Sequence, residues 1–208
     1  FCKHGKSKAR CKVCGGRDLC KSEWCETRAD NKKYEGYCAF CYSNLYPDKT
    51  PSRNYKSKES CVVQSVISKF PDFSWTSDKI IEDGCSKRRP DLRCDFGSHI
   101  IIVEIDENQH RDYDCSCENK RLMEISQDVG HRPIVFIRFN PDDYINKNNE
   151  KVQTCWRLNK LGVMSVMTKY KEAWENRLNV LIDRIQYWVN NPTDKTIEVE
   201  QLYYDGFD

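Results

Sequence analysis

The chain has 208 residues, of which 32% are charged, 38% hydrophobic and 12% aromatic, and its formal net charge is +2. That length supports one core of moderate size plus a small appended module, and the aromatic content excludes a disordered polyampholyte. No run approaches the roughly 18 apolar residues of a membrane span and no signal peptide is visible, so an intracellular protein is expected, neither secreted nor membrane-bound.

The charge is unevenly spread. Residues 1–58 hold 14 Lys and Arg against 6 Asp and Glu, a balance of +8, and the remainder is at −6. Seven of the 13 cysteines fall within the first 41 residues, in close pairs. Cys2-x-His4, Cys11-x2-Cys14, Cys20-x4-Cys25 and Cys38-x2-Cys41 make two tetrahedral sets of nitrogen and sulfur donors, the preference of Zn2+. The simplest grouping is sequential: Cys2, His4, Cys11 and Cys14 on one ion, then Cys20, Cys25, Cys38 and Cys41 on the other. A cross-braced arrangement fits the same spacing. Neither set leaves a position for water, so both ions are structural. Seven thiolates and two zinc ions lower the balance of the module to about +5. It stays basic, with Lys3, Lys6, Lys8, Arg10, Lys12 and Arg17 between the ligands, and nucleic acid is the leading class of partner. Residues 1–42 are therefore expected to form a double zinc-binding module, and 43–58, rich in Pro, Ser and Lys, a linker.

From Glu59 the pattern changes. "ESCVVQSVISKF" carries a helical stripe of Val62, Val63, Val66, Ile67 and Phe70, closed by Pro71. "PDLRCDF" and "IIIVEIDE" read as the arms of a hairpin turning at "GSH". "CENKRLMEISQDVG" is a helix with Leu122, Ile125 and Val129 inward and Gly130 at its end. "PIVFIRF" is a buried strand. "YKEAWENRLNVLIDRIQYWVNNP" is a long amphipathic helix whose stripe of Trp174, Leu178, Leu181, Ile185 and Trp188 serves core packing or a homodimer seam. "KTIEVEQLYY" is a last, edge strand. The order α-β-β-α-β-α-β defines an α/β fold: a mixed sheet with flanking helices over residues 59–208, beside a small irregular zinc-binding domain.

"IIIVEIDENQH", Ile100 to His110, is the most apolar stretch of the chain and yet ends in charge. Strand alternation puts Glu104 and Asp106 on one face. The turn brings Asp91 near the Glu104 end, with Asp95 a rival on the same face and Glu59 approaching from the upstream helix. Carboxylates gathered in this way repel one another unless a cation sits among them, and all-oxygen ligands select a hard ion, Mg2+ or Mn2+. Such an ion beside Lys/Arg-rich segments points to phosphodiester cleavage.

"RPDLRCDFGSHIIIVEIDENQH", with the helix carrying Glu59 upstream, resembles the PD-(D/E)xK nuclease superfamily. It is most similar to the branch of very-short-patch repair (Vsr-like) and related homing or mobile-element endonucleases, over roughly residues 59–140. "CKHGKSKARCKVCGG" resembles a Cys/His repeat of proteins from large DNA viruses. The resemblance implies a restriction-endonuclease-like fold and a Mg2+-dependent endonuclease acting on double-stranded DNA in nucleus, cytoplasm or virus factory. It makes Asp91 the metal-binding aspartate, Glu104 the acidic residue of the next strand, and the Ile105 carbonyl a further ligand. Asp106 stands where most of the superfamily has lysine; it is then a metal ligand, and His110 becomes the general base or a donor to the phosphate. Gln109 would help place water or phosphate and Glu59 support the metal, while Lys6, Lys8, Arg10, Arg88, Arg89, Lys120 and Arg121 would meet DNA. A non-catalytic nucleic-acid-binding protein on a decayed nuclease fold is the alternative.

Overall fold

The computed structural model describes residues 1–4, 8, 11–17, 19–23, 25, 27–29, 34–46, 57–110, 115–158 and 164–208, the side chains of Ser43, Ser57, His110 and Cys115 excepted. The chain divides into two units, residues 1–60 with 157–165, and residues 61–156 with 166–208. Most of the expected linker lies outside the described residues.

The first unit has little regular structure: a 3-10 turn at Lys12–Cys14, an isolated bridge between Leu19 and Arg28, and helix α1 (Ala39–Leu45). Its buried cluster is Cys20, Cys25, Cys38 and Cys41 with Tyr37 and Phe40 against it. Helix α2 (Ser57–Lys69) begins in this unit and ends in the other.

The second unit is built on a five-stranded mixed sheet in the order β1-β2-β3-β4-β9. Strands β1 (Thr76–Ser77), β2 (Leu92–Asp95) and β3 (Ile100–Ile105) run antiparallel in turn; β4 (Ile134–Phe139) is parallel to β3, and β9 (Ile197–Leu202) parallel to β4. Every residue of β3 and β4 is buried. Continuous β-branched runs suit strands covered on both faces, and parallel neighbours require crossovers. Those crossovers are α3 (Cys115–Asp128) and α4 (Lys171–Asn190). Leu122 and Ile125 of α3 and Val129 just past its end pack on Ile100, Ile102, Ile134 and Phe136. Side-chain alternation puts Phe139 on the opposite face, where Trp174 of α4 meets it edge-on at 5.9 Å.

The seven expected elements appear in the expected order as α2, β2, β3, α3, β4, α4 and β9, with shorter elements added to them. The α4 stripe goes into the core, with Trp174, Leu181 and Ile185 buried. Helix α3 starts two residues earlier than its apolar pattern suggests, and Gly130, just past its end, takes φ 71°. Five short strands were not expected: β1 at the sheet edge, β5 (Tyr144–Ile145) with β6 (Lys151–Val152), and β7 (Trp156–Leu158) with β8 (Met164–Val166). Two or three residues are too few to show a period.

Candidate metal centres and the carboxylates of the hairpin

Cys2, His4, Cys11 and Cys14 bring one donor atom each within 4.8 Å of one another, and so do Cys20, Cys25, Cys38 and Cys41. The grouping is sequential, not cross-braced. A zinc ion with Zn–S near 2.3 Å places tetrahedral sulfurs about 3.8 Å apart and a nitrogen about 3.5 Å from each sulfur. Cys25 and Cys38 Sγ are 3.8 Å apart, and His4 Nδ1 lies 3.3, 3.3 and 3.7 Å from the sulfurs of Cys11, Cys14 and Cys2. The residues fit zinc. In the second cluster the Cys38 N–H donates to Cys20 Sγ and the Cys41 N–H to Cys38 Sγ, contacts that favour thiolate. Four thiols this close cannot ionise independently: the bond from Cys38 pulls Cys25 down to about 5, while burial pushes Cys41 up to about 12. A shared cation removes that conflict. Lys12, read from sequence as one of the basic side chains of the module, instead donates to the carbonyls of Cys20, Ser22 and Cys25 and braces the second knuckle. Lys8 is exposed; Lys6 and Arg10 lie outside the described residues.

In the β2–β3 hairpin Leu92 pairs with Val103 and Asp95 with Ile100, which sets Asp91, one residue before β2, against the Glu104 end of β3. The Ile105 N–H donates to Asp91 Oδ2 at 2.8 Å. Asp95 sits at the other end, gripped by both nitrogens of the Arg132 fork at 3.0 and 2.7 Å. Glu104 is buried, and burial pushes its carboxyl up to about 8; Arg121 pulls it down, while Asp91 and Asp106 raise it further. Arg121 Nη2 donates to both oxygens of Glu104.

Asp106 requires a correction. Only 1% exposed, it accepts from Arg138 Nε at 2.6 Å and from the Tyr204 hydroxyl, both on Oδ2. Arg138 in turn grips Glu118 at 2.9 and 2.7 Å. Burial and the charge on Asp106 push the Tyr204 phenol well up, so it stays a neutral donor. Among the described residues no three carboxylates bring their oxygens within 4.8 Å of one another. The expected convergence of Asp91, Glu104 and Asp106 is therefore a pair plus a neighbour engaged in its own ion network.

After β3 the chain makes a tight turn, Glu107–His110, in which Asn108 and Gln109 both take φ 55°. For a residue such as Gln that conformation costs about 1–2 kcal/mol. Asp142 holds the turn by accepting from the Asn108 N–H at 3.0 Å. Gln109 is committed to the C-terminal segment: its amide donates to Asp205 Oδ1 and accepts from the Asp205 N–H, each at 3.0 Å. This is not a side chain placed for water or phosphate. His110 is carried by the turn, but its side chain lies outside the described residues. Glu59 lies half-buried in the first turn of α2, in the segment grouped with the N-terminal unit.

Of the basic candidates, Arg89 and Lys120 are exposed, Arg88 is paired with Glu124 at 2.6 Å, and Arg121 faces inward to Glu104. The arginines on Glu104 and Asp106 were not assigned from sequence. One signal was available: Arg138 interrupts an otherwise apolar buried strand, and a buried cation calls for a buried anion. No helix among the described residues is long and apolar enough to cross a membrane. No protein-family model matches the chain, and searches of curated proteins and of solved structures return no match.

Proposed function

We propose that the chain is a Mg2+- or Mn2+-dependent DNA endonuclease of PD-(D/E)xK type, with the zinc-bearing unit anchoring double-stranded DNA. The observation that carries this reading is the meeting of Asp91 and Glu104 across the end of one hairpin, the second of them a buried carboxyl that gains from a cation. Mg2+ is commonly held by one or two carboxylates and completed by water and substrate phosphate, so Asp91, Glu104 and the Ile105 carbonyl suffice without Asp106. Held by Asp91, Glu104 and the Ile105 carbonyl, a divalent ion would supply polarisation of the scissile phosphate and a more acidic water. Asp106, through Arg138 and Tyr204, fixes the end of β3. His110, on the strained turn, is the group to accept the proton of the attacking water. The water oxygen forms a new P–O bond, one ester P–O bond breaks, and the leaving oxygen departs with a proton as a hydroxyl. Arg89 and Lys120 give the hairpin end exposed positive charge for neighbouring phosphates. One centre nicks; a double-strand cut needs a homodimer.

The internal pairing of Glu104 and Asp106 favours a second reading, a zinc-stabilised nucleic-acid-binding protein without catalysis. Supercoiled plasmid, a DNA duplex and an RNA of the same sequence, each incubated with zinc-loaded protein and Mg2+ or Mn2+, separate the two. Asp91→Asn and Glu104→Gln should abolish cleavage while zinc content and DNA affinity stay at wild-type values. Equal cleavage by wild type and both variants would sink the endonuclease reading, and DNA binding without any cleavage would establish the second.

A further inference from the structure

A protein cation already occupies the chelating position on Glu104. Arg121 Nη2 lies 2.8 and 2.9 Å from its two oxygens. One nitrogen shared by both oxygens is the place of a chelated ion, unlike the two parallel bonds of a guanidinium fork. The same nitrogen donates at 3.0 Å to the carbonyl of Arg89, two residues before Asp91, so Arg121 touches both segments that carry the candidate ligands. Its side chain is 31% exposed against 9% for Glu104, and its Nε and Nη1 make no hydrogen bond among the described residues. The guanidinium is bound to a buried carboxylate through Nη2, yet its side chain is partly exposed and has donors to spare. Arg138, the other arginine in this part of the sheet, is committed to Asp106 and Glu118.

Resting on the endonuclease reading, we propose that Arg121 is a catalytic cation released by metal binding. Glu104 exchanges the guanidinium for the divalent ion. The freed guanidinium, kept close by the Arg89 carbonyl, then donates to a non-bridging oxygen of the scissile phosphate. Arginine keeps its charge at any working pH and its planar edge matches a phosphoryl oxygen pair. Charge builds on those oxygens as the new P–O bond forms, so a donor that arrives there stabilises the transition state. The exchange also makes the cation available only when the metal is bound.

The test uses the zinc-loaded full chain labelled with 15N-arginine. The Arg121 Nε–H signal is assigned as the one lost in Arg121→Lys. It should shift in step with Mg2+ binding followed by calorimetry, and Glu104→Gln should abolish both the binding and the Mg2+-dependent shift. Arg121→Gln should bind Mg2+ yet cut DNA on the order of 10²–10³-fold more slowly, with Arg121→Lys in between. An Arg121 signal unmoved at saturating Mg2+, or Arg121→Gln cutting at the wild-type rate, overturns the proposal while leaving the endonuclease reading intact. Wild-type protein that neither binds Mg2+ through Glu104 nor cuts DNA defeats both together.

Discussion

At Cys20, Cys25, Cys38 and Cys41 the donors within reach of one another are four sulfurs, whereas Glu104, Asp106 and Asp95 each have an arginine nitrogen within 3 Å. The sulfur clusters lie in the unit with little apolar core among its described residues, and the carboxylates lie at or near the ends of a sheet whose central strands β3 and β4 are buried throughout. The contrast separates two uses of a cation. Where burial is scarce, the donor atoms are placed to share an ion that would be part of the fold. Where burial is ample, the protein supplies its own cations, and on the endonuclease reading a metal would have to displace one to act.

Removing zinc should therefore give the largest effect. The wild-type chain should hold two zinc ions. Cys38→Ser should lose one of them, and with it a contribution on the order of 10 kcal/mol, the scale of structural zinc. Limited proteolysis should then cut within residues 1–45 at rates the wild type does not show. A Cys38→Ser protein with two zinc ions and wild-type resistance would erase the contrast.

The ion network at Asp106 comes next. Arg138→Met leaves Asp106 and Glu118 without their cation and should cost about 3–5 kcal/mol in urea unfolding. Adding Asp106→Leu to that variant should recover part of the loss, because an uncompensated buried charge costs more than an apolar replacement of both partners. Additive losses would return Asp106 to the role of an open metal ligand.

Much of this was legible in the sequence, and the limits have a physical cause. The zinc sets could be read from spacing, because ligand pairs on one ion are close in the chain. β3, α3 and α4 could be read from periodicity, and a short turn fixed Asp91 against Glu104. The partners of the carboxylates could not, because Arg121 is 17 residues from Glu104, Arg138 32 from Asp106 and Tyr204 98 from it. Arg138 within an apolar strand signals that a buried anion is needed, but no local pattern says which one. Lys12 shows the same limit in the other unit: a lysine between zinc ligands reads as a phosphate contact, and only the folded backbone offers it three carbonyls instead.

Glu104 sets a pH dependence. Its folded carboxyl is raised to about 8, above the ordinary carboxylate range, so between roughly pH 4.5 and 8 the native state binds the proton that the unfolded chain releases. Stability associated with this group is full below the unfolded value and is lost as pH rises through the folded one. Wild type should lose on the order of 1–3 kcal/mol relative to Glu104→Gln over that span, less than burial alone would give because Arg121 offsets part of it. Parallel stability curves for the two proteins would mean that Arg121 outweighs burial and keeps Glu104 ionised throughout.

The smallest effect belongs to the far end of the same hairpin and sharpens the comparison there. Asp95 resembles Asp91 in sequence, and Arg132 holds its carboxyl below its ordinary range, with burial opposing and the Gly97 N–H adding to the pull. The pair is well exposed, with side chains 43% and 41% accessible, so solvent screens it. Asp95→Asn should cost less than about 1 kcal/mol at neutral pH, and less still in high salt. Because the folded value is depressed, the contribution is present above the unfolded value and disappears as pH falls through the folded one. Cleavage should be unaffected, since Asp95 stands against Ile100 and not against Glu104. Loss of cleavage in Asp95→Asn at unchanged stability would move the centre to the wrong end of the strand and undo the pairing of Asp91 with Glu104 on which the site is built.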